Sequence, residues 1–225
     1  MNNDSIKEHI DKIVKNTFAT IRLAYEGQKE NEVFAANGCS SRIVFPLKRK
    51  NKDEEDEVRI SEQELRFIFV EEFVKYCNGE KKWDAYYSVE TPTGKRYDFR
   101  DKENPKKVDK TDGQSAMVDL SVFLKNDENV LKRVALIEFK ALNPDKSAFA
   151  KDFCKLKNEE DEKNEPNRPA TFFVMIVKSH NDGTIKSLHD KIKTKDDNTE
   201  FYCYALEQDE DISEEIKKDY PTSEK

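Results

Sequence analysis

An acid and a lysine, Glu138 and Lys140, end an otherwise apolar run that extends from Val134 to Ala141. Alternate side chains of a strand point to the same face, so Glu138 and Lys140 share one face. Both faces of the run are apolar before that point, which is typical of a central strand covered on both sides. A charge is costly there unless it is paired or bound to a metal. The pair therefore marks a candidate functional site.

A second apolar run, from Met117 to Leu124, carries one carboxylate, Asp119. Phosphodiester hydrolysis needs a positioned water, a Lewis acid and stabilisation of the charge that develops on phosphorus. Mg²⁺ supplies the Lewis acid and is usually bound by one or two carboxylates together with waters and substrate phosphate. Two carboxylates and a lysine on neighbouring strands predict such a site. The carbonyl oxygen of Phe139 is a further candidate ligand, and Lys140 would lie beside the attacking water.

A third carboxylate, Glu62, begins a predicted helix from about 61 to 77. Ser61 and Glu64 have the spacing of a capping box, in which the Glu64 side chain returns to the N-cap. Glu62 precedes Leu65 by three residues and Phe69 by seven, so it lies on the stripe that faces the sheet. Glu64 is interpreted as a capping residue. Glu62 is equally compatible with a site residue and with an acid favoured by the helix dipole.

Hydrophobic periodicity and turn residues predict the remaining elements. They are a helix over 5–26, a short strand over 43–45, a hairpin over 83–99 that turns at 92–94, strands over 117–124 and 134–141, a helix over 147–157, a strand over 171–177, a helix over 183–193 and a strand over 201–206. Helices before and after the central strands predict an α/β (α+β) fold with a mixed sheet covered on both faces. The segment from Glu207 is highly charged, and we expect it to fray or be disordered.

The order of an acidic helix residue, an aspartate on one strand, Glu-x-Lys at the end of the next and then a helix resembles the PD-(D/E)xK nuclease superfamily. The resemblance covers roughly residues 61–178, with Val118 where the signature has proline. It implies a restriction-endonuclease-like mixed central sheet flanked by helices, here with an extra N-terminal helix. It also implies Mg²⁺, or Mn²⁺, held by Asp119 and Glu138, with Lys140 and Glu62 completing the catalytic set. The implied activity is that of an endonuclease acting on DNA.

We divide the chain into an N-terminal helix and extension over 1–60, a nuclease-like core over 61–206 and a charged tail over 207–225. No helix-turn-helix or zinc finger accompanies the core in the sequence. We therefore expect a homodimer or a partner protein to supply affinity for nucleic acid. The basic stretch over 95–110 is a candidate contact, although such stretches are more often solvated loops.

The bulk composition excludes several functional classes. The net charge is −7, so the chain lacks the overall basic character of most nucleic-acid binders. Four isolated cysteines form no CxxC pair, and three scattered histidines suggest neither an HNH nor a zinc site. No apolar run approaches the length of a membrane span, and the start of the sequence lacks the features of a signal peptide. We expect a protein of the cytoplasm that does not associate with membranes.

Simpler interpretations remain open for each candidate residue. Glu138 and Lys140 could neutralise each other at a strand end, and Asp119 could cap a turn. Asp152 and Lys155, in the helix after the signature, are interpreted as solvated charges, although Lys155 could touch phosphate. The aromatic residues Trp83, Tyr86 and Tyr87 are interpreted as core residues, not as platforms for bases. The alternative function is therefore a catalytically silent nuclease-fold binding module, or a partner-dependent subunit of a defence or repair complex.

Overall fold

The computed structural model describes residues 3–29, 41–45, 47–48, 57–79, 83–109, 112–142, 144–160, 168–192 and 198–218. Its helices are α1 (Asn3–Lys29), α2 (Glu62–Asn78), α3 (Lys146–Glu160), α4 (Asp182–Ile192) and α5 (Ser213–Lys218). Its strands are β1 (Leu47–Lys48), β2 (Glu57–Val58), β3 (Ala85–Asp98), β4 (Lys106–Val108), β5 (Gln114–Lys125), β6 (Leu131–Ala141), β7 (Ala170–Val177), β8 (Thr199–Ala205) and β9 (Glu210–Asp211).

Seven strands form one mixed sheet in the order β4-β3-β5-β6-β7-β8-β9. Strands β6, β7 and β8 are mutually parallel, and the other neighbouring pairs are antiparallel. The strand that carries Glu138 and Lys140 is therefore central, as its apolar sequence predicts. Strands β1 and β2 form a separate antiparallel pair.

The helices cover both faces of the sheet and divide the core into two clusters. Helices α1 and α2 pack on the face that carries Ile137 and Phe139. On this face, the centroids of the Phe69 and Phe139 rings are 5.2 Å apart. Helices α3, α4 and α5 pack on the face that carries Leu136 and Phe173. The prediction of a mixed sheet flanked by helices is confirmed. The alternation along β6 therefore separates Phe139 from its neighbours Glu138 and Lys140.

Two predicted local elements are wrong. Residues 43–45 are not a strand, because the Ser41 hydroxyl accepts the amide of Ile43 in a local turn. The hairpin predicted over 83–99 is instead one long strand, β3, with an irregular register between Pro92 and Arg96. Pairing with β5 along most of its length keeps β3 extended, and β4 supplies the antiparallel partner that we expected inside this segment.

A buried carboxylate on α3 explains why the chain stays extended at Gly94. Glu159 is 2% exposed, and its oxygens accept the amides of Gly94 and Lys95 at 2.8 and 2.9 Å. The same side chain accepts the Tyr97 hydroxyl at 3.0 Å and Nη2 of Arg133 at 2.8 Å. In a tight turn, the amides of Gly94 and Lys95 would be directed toward the inside of the turn, but here both donate to Glu159. The carboxyl end of α3 is thereby fixed to β3.

The expectation of disorder from Glu207 is wrong for residues 210–218, which form β9 and α5. Ile212 and Ile216 are buried against the α3 and α4 side of the sheet. Ser213 also ties this segment to β8, because its hydroxyl accepts the amide of Cys203 at 2.9 Å. Two apolar anchors therefore hold a segment whose overall charge predicts disorder.

We expect a histidine to make the docking of α5 sensitive to pH. Nδ1 of His180 lies 2.7 Å from Glu210 and Nε2 lies 2.8 Å from Glu215, and these hydrogen bonds raise the pKa of His180. Protonated His180 therefore stabilises the fold at pH values below the unfolded pKa of about 6.5. This stabilisation is lost as the pH rises through the folded pKa. His180→Asn should therefore lower the melting temperature at pH 6 and have little effect at pH 8.5. An equal loss at both values would contradict this, and Glu215→Gln should reproduce part of the effect.

Candidate functional site

The register of β5 and β6 brings two of the predicted carboxylates together. Leu120 pairs with Ile137, so Asp119 lies beside Glu138 at the next position of the antiparallel ladder. Oδ2 of Asp119 accepts the Phe139 amide at 2.8 Å, which fixes the orientation of the carboxylate. The Asp119 side chain remains 22% exposed, whereas Glu138 is 1% exposed. One carboxylate is thus accessible to solvent and the other is enclosed.

Lys140 joins the end of β6 to two helices. Its Nζ lies 2.6 Å from Oδ2 of Asp152 on α3 and 3.5 Å from Oε1 of Glu62 on α2. Nζ also donates to the Phe139 carbonyl at 3.0 Å. That carbonyl, which we predicted as a metal ligand, is therefore occupied by the ammonium group. Glu62 lies at the start of α2 because the predicted capping box between Ser61 and Glu64 forms, which is confirmed.

Lys155 forms the second half of the same network. Its Nζ lies 2.6 Å from Oε1 of Glu138 and 2.8 Å from Oδ1 of Asp152, and it donates to the Met117 carbonyl at 2.8 Å. Asp152 and Lys155 are 5% and 4% exposed. Our interpretation of both as solvated charges is therefore wrong. They face inward because α3 must also bury the aromatic stripe beside them.

Helical spacing in the sequence already contained a signal for Asp152. It follows Phe149 by three residues and precedes Leu156 by four, and both are fully buried. Residues at these separations share a helix face, so an acid between them is directed at the sheet. Lys155 is then three residues further along. An inward acid and lysine after a Glu-x-Lys strand could therefore have been assigned to the site from the sequence.

Arg66, one turn after Glu62, is a further residue that the sequence argument missed. Its Nη1 forms an ion pair with Glu90 and lies 4.0 Å from Oδ1 of Asp119. Glu90 has a φ of 49°, and the β3–β5 ladder omits the position where it faces Asp119. This left-handed conformation is uncommon for a residue with a side chain. The guanidinium group therefore covers the exposed edge of the Asp119 carboxylate.

No protein-family model, curated protein or solved structure matches this chain.

The surroundings of Glu138 and Lys140 raise the pKa of both groups, which favours the neutral form of the acid and the charged form of the lysine. Burial raises the pKa of Glu138 well above its ordinary value, and the nearby Asp152 and Asp119 raise it further, against the effect of Lys155. Burial alone would lower the pKa of Lys140, but the carboxylates of Asp152 and Glu62 hold it above its ordinary range. Lys140 is therefore charged at neutral pH. Glu138 is the group for which ionisation is most costly.

The charge balance around Glu138 suits a divalent cation. The network contains more acids than lysines: its carboxylates are the buried Glu138 and Asp152 and the partly exposed Glu62 and Asp119, and its ammonium groups belong to Lys140 and Lys155. Arg66 is neutralised by Glu90, so carboxyl groups outnumber the remaining cations by two, and Glu138 is the one whose burial opposes ionisation. In addition, Oε2 of Glu138 is buried and has no hydrogen-bond partner among the described residues. An unpartnered carboxylate oxygen beside Asp119 fits Mg²⁺, which accepts two protein carboxylates when waters complete its shell.

A preformed cage of many ligands is absent from this region. Within the described ranges, no group of three or more His, Cys, Asp or Glu side chains has an arrangement that would hold a metal. Asp119 and Glu138 are thus the candidate ligands, with Glu62 separated from them by Lys140. In the same described ranges, no helix has the length and apolar character needed to cross a membrane.

The remaining aromatic candidates divide between core and surface. Trp83 is buried and stacks on His9 with ring centroids 4.5 Å apart, as a core residue should. Tyr86 and Tyr87 are instead 37% and 41% exposed, so the interpretation of both as core residues is wrong. The Tyr87 ring still packs edge-on against Phe73 of α2 with centroids 5.5 Å apart. Nζ of Lys125 lies 4.9 Å from the centroid of the Tyr86 ring.

Proposed function

We propose that this protein is a metal-dependent nuclease with a PD-(D/E)xK site that hydrolyses phosphodiester bonds of DNA. The observation that carries the proposal is the network at the end of β6, in which Asp119 lies beside Glu138 and Oε2 of Glu138 has no hydrogen-bond partner among the described residues. Asp119, Glu138 and Lys140 are the residues on which the resemblance in the sequence rests. The choice of DNA rests on that resemblance alone.

Each residue has a distinct role in this proposal. Asp119 and Glu138 would hold Mg²⁺, which supplies Lewis-acid stabilisation of the phosphate and lowers the pKa of bound water. Lys140, held charged by Asp152, would orient the attacking water and stabilise the charge on phosphorus. Asp152 and Lys155 are positioning residues, because they contact Lys140 and Glu138 and are enclosed. Glu62 would orient Lys140 from the helix side.

The direct test is cleavage of single-stranded, duplex and branched DNA with Mg²⁺, Mn²⁺ or a chelator. The wild type should cleave at least one substrate only with a divalent metal, and Asp119→Asn should reduce the rate by about 100-fold or more. An asparagine oxygen can still accept the Phe139 amide, so the fold should be retained. The matched control is Asp127→Asn, an exposed residue of the β5–β6 turn, which should cleave like the wild type. Undiminished activity in Asp119→Asn would refute the proposal.

A silent binding module of the same fold is the second candidate. The observation in its favour is that Lys155 already contacts Glu138, so an ammonium group partly occupies the space of a metal. Such a module would show no Mg²⁺ or Mn²⁺ binding that depends on Asp119. Calorimetric titration of each metal into the wild type and into Asp119→Asn separates the two functions, because only a nuclease site should lose affinity in the variant.

Nucleic-acid affinity would come from exposed cations outside the network. Within the candidate basic stretch, Arg96 donates to Gly113 and Arg100 is paired with Asp98, so neither is available for phosphate. Among the described residues of that stretch, the exposed lysines are Lys102, Lys106 and Lys107. Three exposed cations give a modest electrostatic contribution. A homodimer or a partner protein would add the rest.

A further inference from the structure

A cavity of about 330 Å³ lies at the carboxyl end of the parallel strands and has no role in the site described above. Its walls include Leu142, Val177 and Leu206, which stand at or just after the ends of β6, β7 and β8. Open α/β sheets bind ligands in the crevice outside the carboxyl ends of their strands. The volume lies at the lower end of the range for small-molecule sites, about 300–1,000 Å³.

Chain connectivity places this cavity next to the charged network. Leu142 follows Lys140 by two residues, and Ile60 precedes Glu62 by two. Two residues of extended chain span at most about 7 Å between Cα atoms. Two walls of the cavity are therefore direct continuations of the segments that carry Lys140 and Glu62.

The lining has the chemistry of a site for an anionic, planar ligand. Tyr25 contributes an aromatic ring, and most of the remaining wall is aliphatic. The hydroxyl groups of Ser179 and Thr184 are the neutral polar contributions, and Arg59 and Lys178 are the charged ones. None of the described residues in the lining is acidic, although acids outnumber bases by 47 to 40 in the chain. Lys178 is paired with Glu207 at 3.8 Å, so Arg59 is the lining cation that suits phosphate.

We propose that this cavity holds an unpaired nucleobase of the substrate strand, next to the phosphate that is cleaved. The inference rests on the proposed nuclease function and deepens it, because it names the substrate class. The base would contact the apolar wall and the Tyr25 ring, as bases stack on aromatic side chains in single-strand sites. Arg59 would contact the adjacent phosphate. A base inside a duplex is not accessible, so the substrate would be single-stranded, frayed or mismatched at the cut.

The test is binding of a short fluorescent oligodeoxyadenylate, measured by anisotropy in the presence of a chelator so that no cleavage occurs. Thr184→Trp fills the cavity from the first turn of α4 and should weaken binding at least about tenfold, the value of one lost stacking contact. Lys186→Trp places the same ring on the exposed side of the same helix and should bind like the wild type. Equal affinities for all three proteins would overturn the inference, as would absence of binding by the wild type.

A second pair of variants keeps the test independent of the packing of α4. Arg59 is exposed, so Arg59→Glu should fold and should weaken binding, whereas Arg42→Glu makes the same charge change at an exposed position outside the cavity. Equal weakening of binding by Arg59→Glu and Arg42→Glu would indicate a general electrostatic effect and would overturn the proposed cavity site. Binding that depends on Thr184 and Arg59 without any metal-dependent cleavage would support the cavity and refute the nuclease. Metal-dependent cleavage that depends on neither Thr184 nor Arg59 would support the nuclease and overturn the cavity site.

Discussion

Replacing Lys140 with methionine is expected to reduce metal-dependent cleavage by about 100-fold or more, as the removal of one preorganised charge-stabilising group commonly does. Lys140 is the cation that β6 directs into the network, and its burial keeps it away from bulk water. Methionine retains most of the aliphatic stem, so the packing around β6 should survive. Asp152 keeps its contact with Lys155 at 2.8 Å and therefore remains paired. The measurement is the single-turnover rate with saturating Mg²⁺.

The control for this variant is Lys146→Met, which makes the same chemical change at an exposed position at the start of α3. It should cleave at the wild-type rate. Affinity for Mn²⁺ should persist or rise in Lys140→Met, because a positive charge has been removed from the site. A variant that binds metal and still cleaves like the wild type would show that Lys140 has no part in catalysis.

Replacing Lys155 with methionine is expected to lower the free energy of unfolding by about 3–5 kcal/mol, the usual cost of removing one partner from a buried ion pair. Among the described residues, Lys155 is the only one with an ammonium group within 4 Å of the Glu138 carboxylate, and it also contacts Asp152. Its loss leaves Glu138 enclosed and without a counter-charge. Urea unfolding at pH 7 would measure the effect, and Lys151→Met, on the exposed side of α3, is the matched control.

The pH dependence of this loss follows from the direction of the Glu138 shift. Its pKa is raised by burial and by Asp152, so the folded state binds a proton more readily than the unfolded chain, whose glutamates titrate near about 4.3. Stability then falls as pH rises from that value through the folded pKa. The defect of Lys155→Met should therefore shrink in acid. The double variant Glu138→Gln/Lys155→Met should recover part of the stability at pH 7, and a double variant as unstable as the single one would contradict this explanation.

Periodicity was sufficient to predict those elements whose burial follows from their own sequence. Strands β6 and β7 are apolar on both faces, and α2 carries its capping box and its stripe together, so local and tertiary preferences agree. The long strand β3 shows the opposite case. Its Pro92 and Gly94 favour a turn, but Glu159, 65 residues away from Gly94, binds the backbone there and keeps it extended. A contact over that separation has no local signature.

The residues of the candidate site were likewise predictable only where the sequence around them reveals their burial. Asp119, Glu138 and Lys140 stand out because charges interrupt apolar strands, and β5–β6 pairing makes them neighbours. Asp152 and Lys155 do not stand out in the sequence because α3 is rich in charged residues. Only their spacing from Phe149 along the helix distinguishes the charged side chains that face the sheet from those that face solvent. The position of Arg66 depends on Glu90, whose left-handed backbone is visible only in three dimensions.

Helix α3 is attached at two points along its length: Asp152 and Lys155 hold its middle to the end of β6, and Glu159 holds its carboxyl end to β3. A helix fixed at two separated points can neither rotate about its axis nor slide without breaking both attachments. We therefore expect α3 and the part of β3 that contacts Glu159 to open together. The geometry of the site therefore depends in part on β3, the longest strand of the sheet, although β3 supplies none of the lysines of the site.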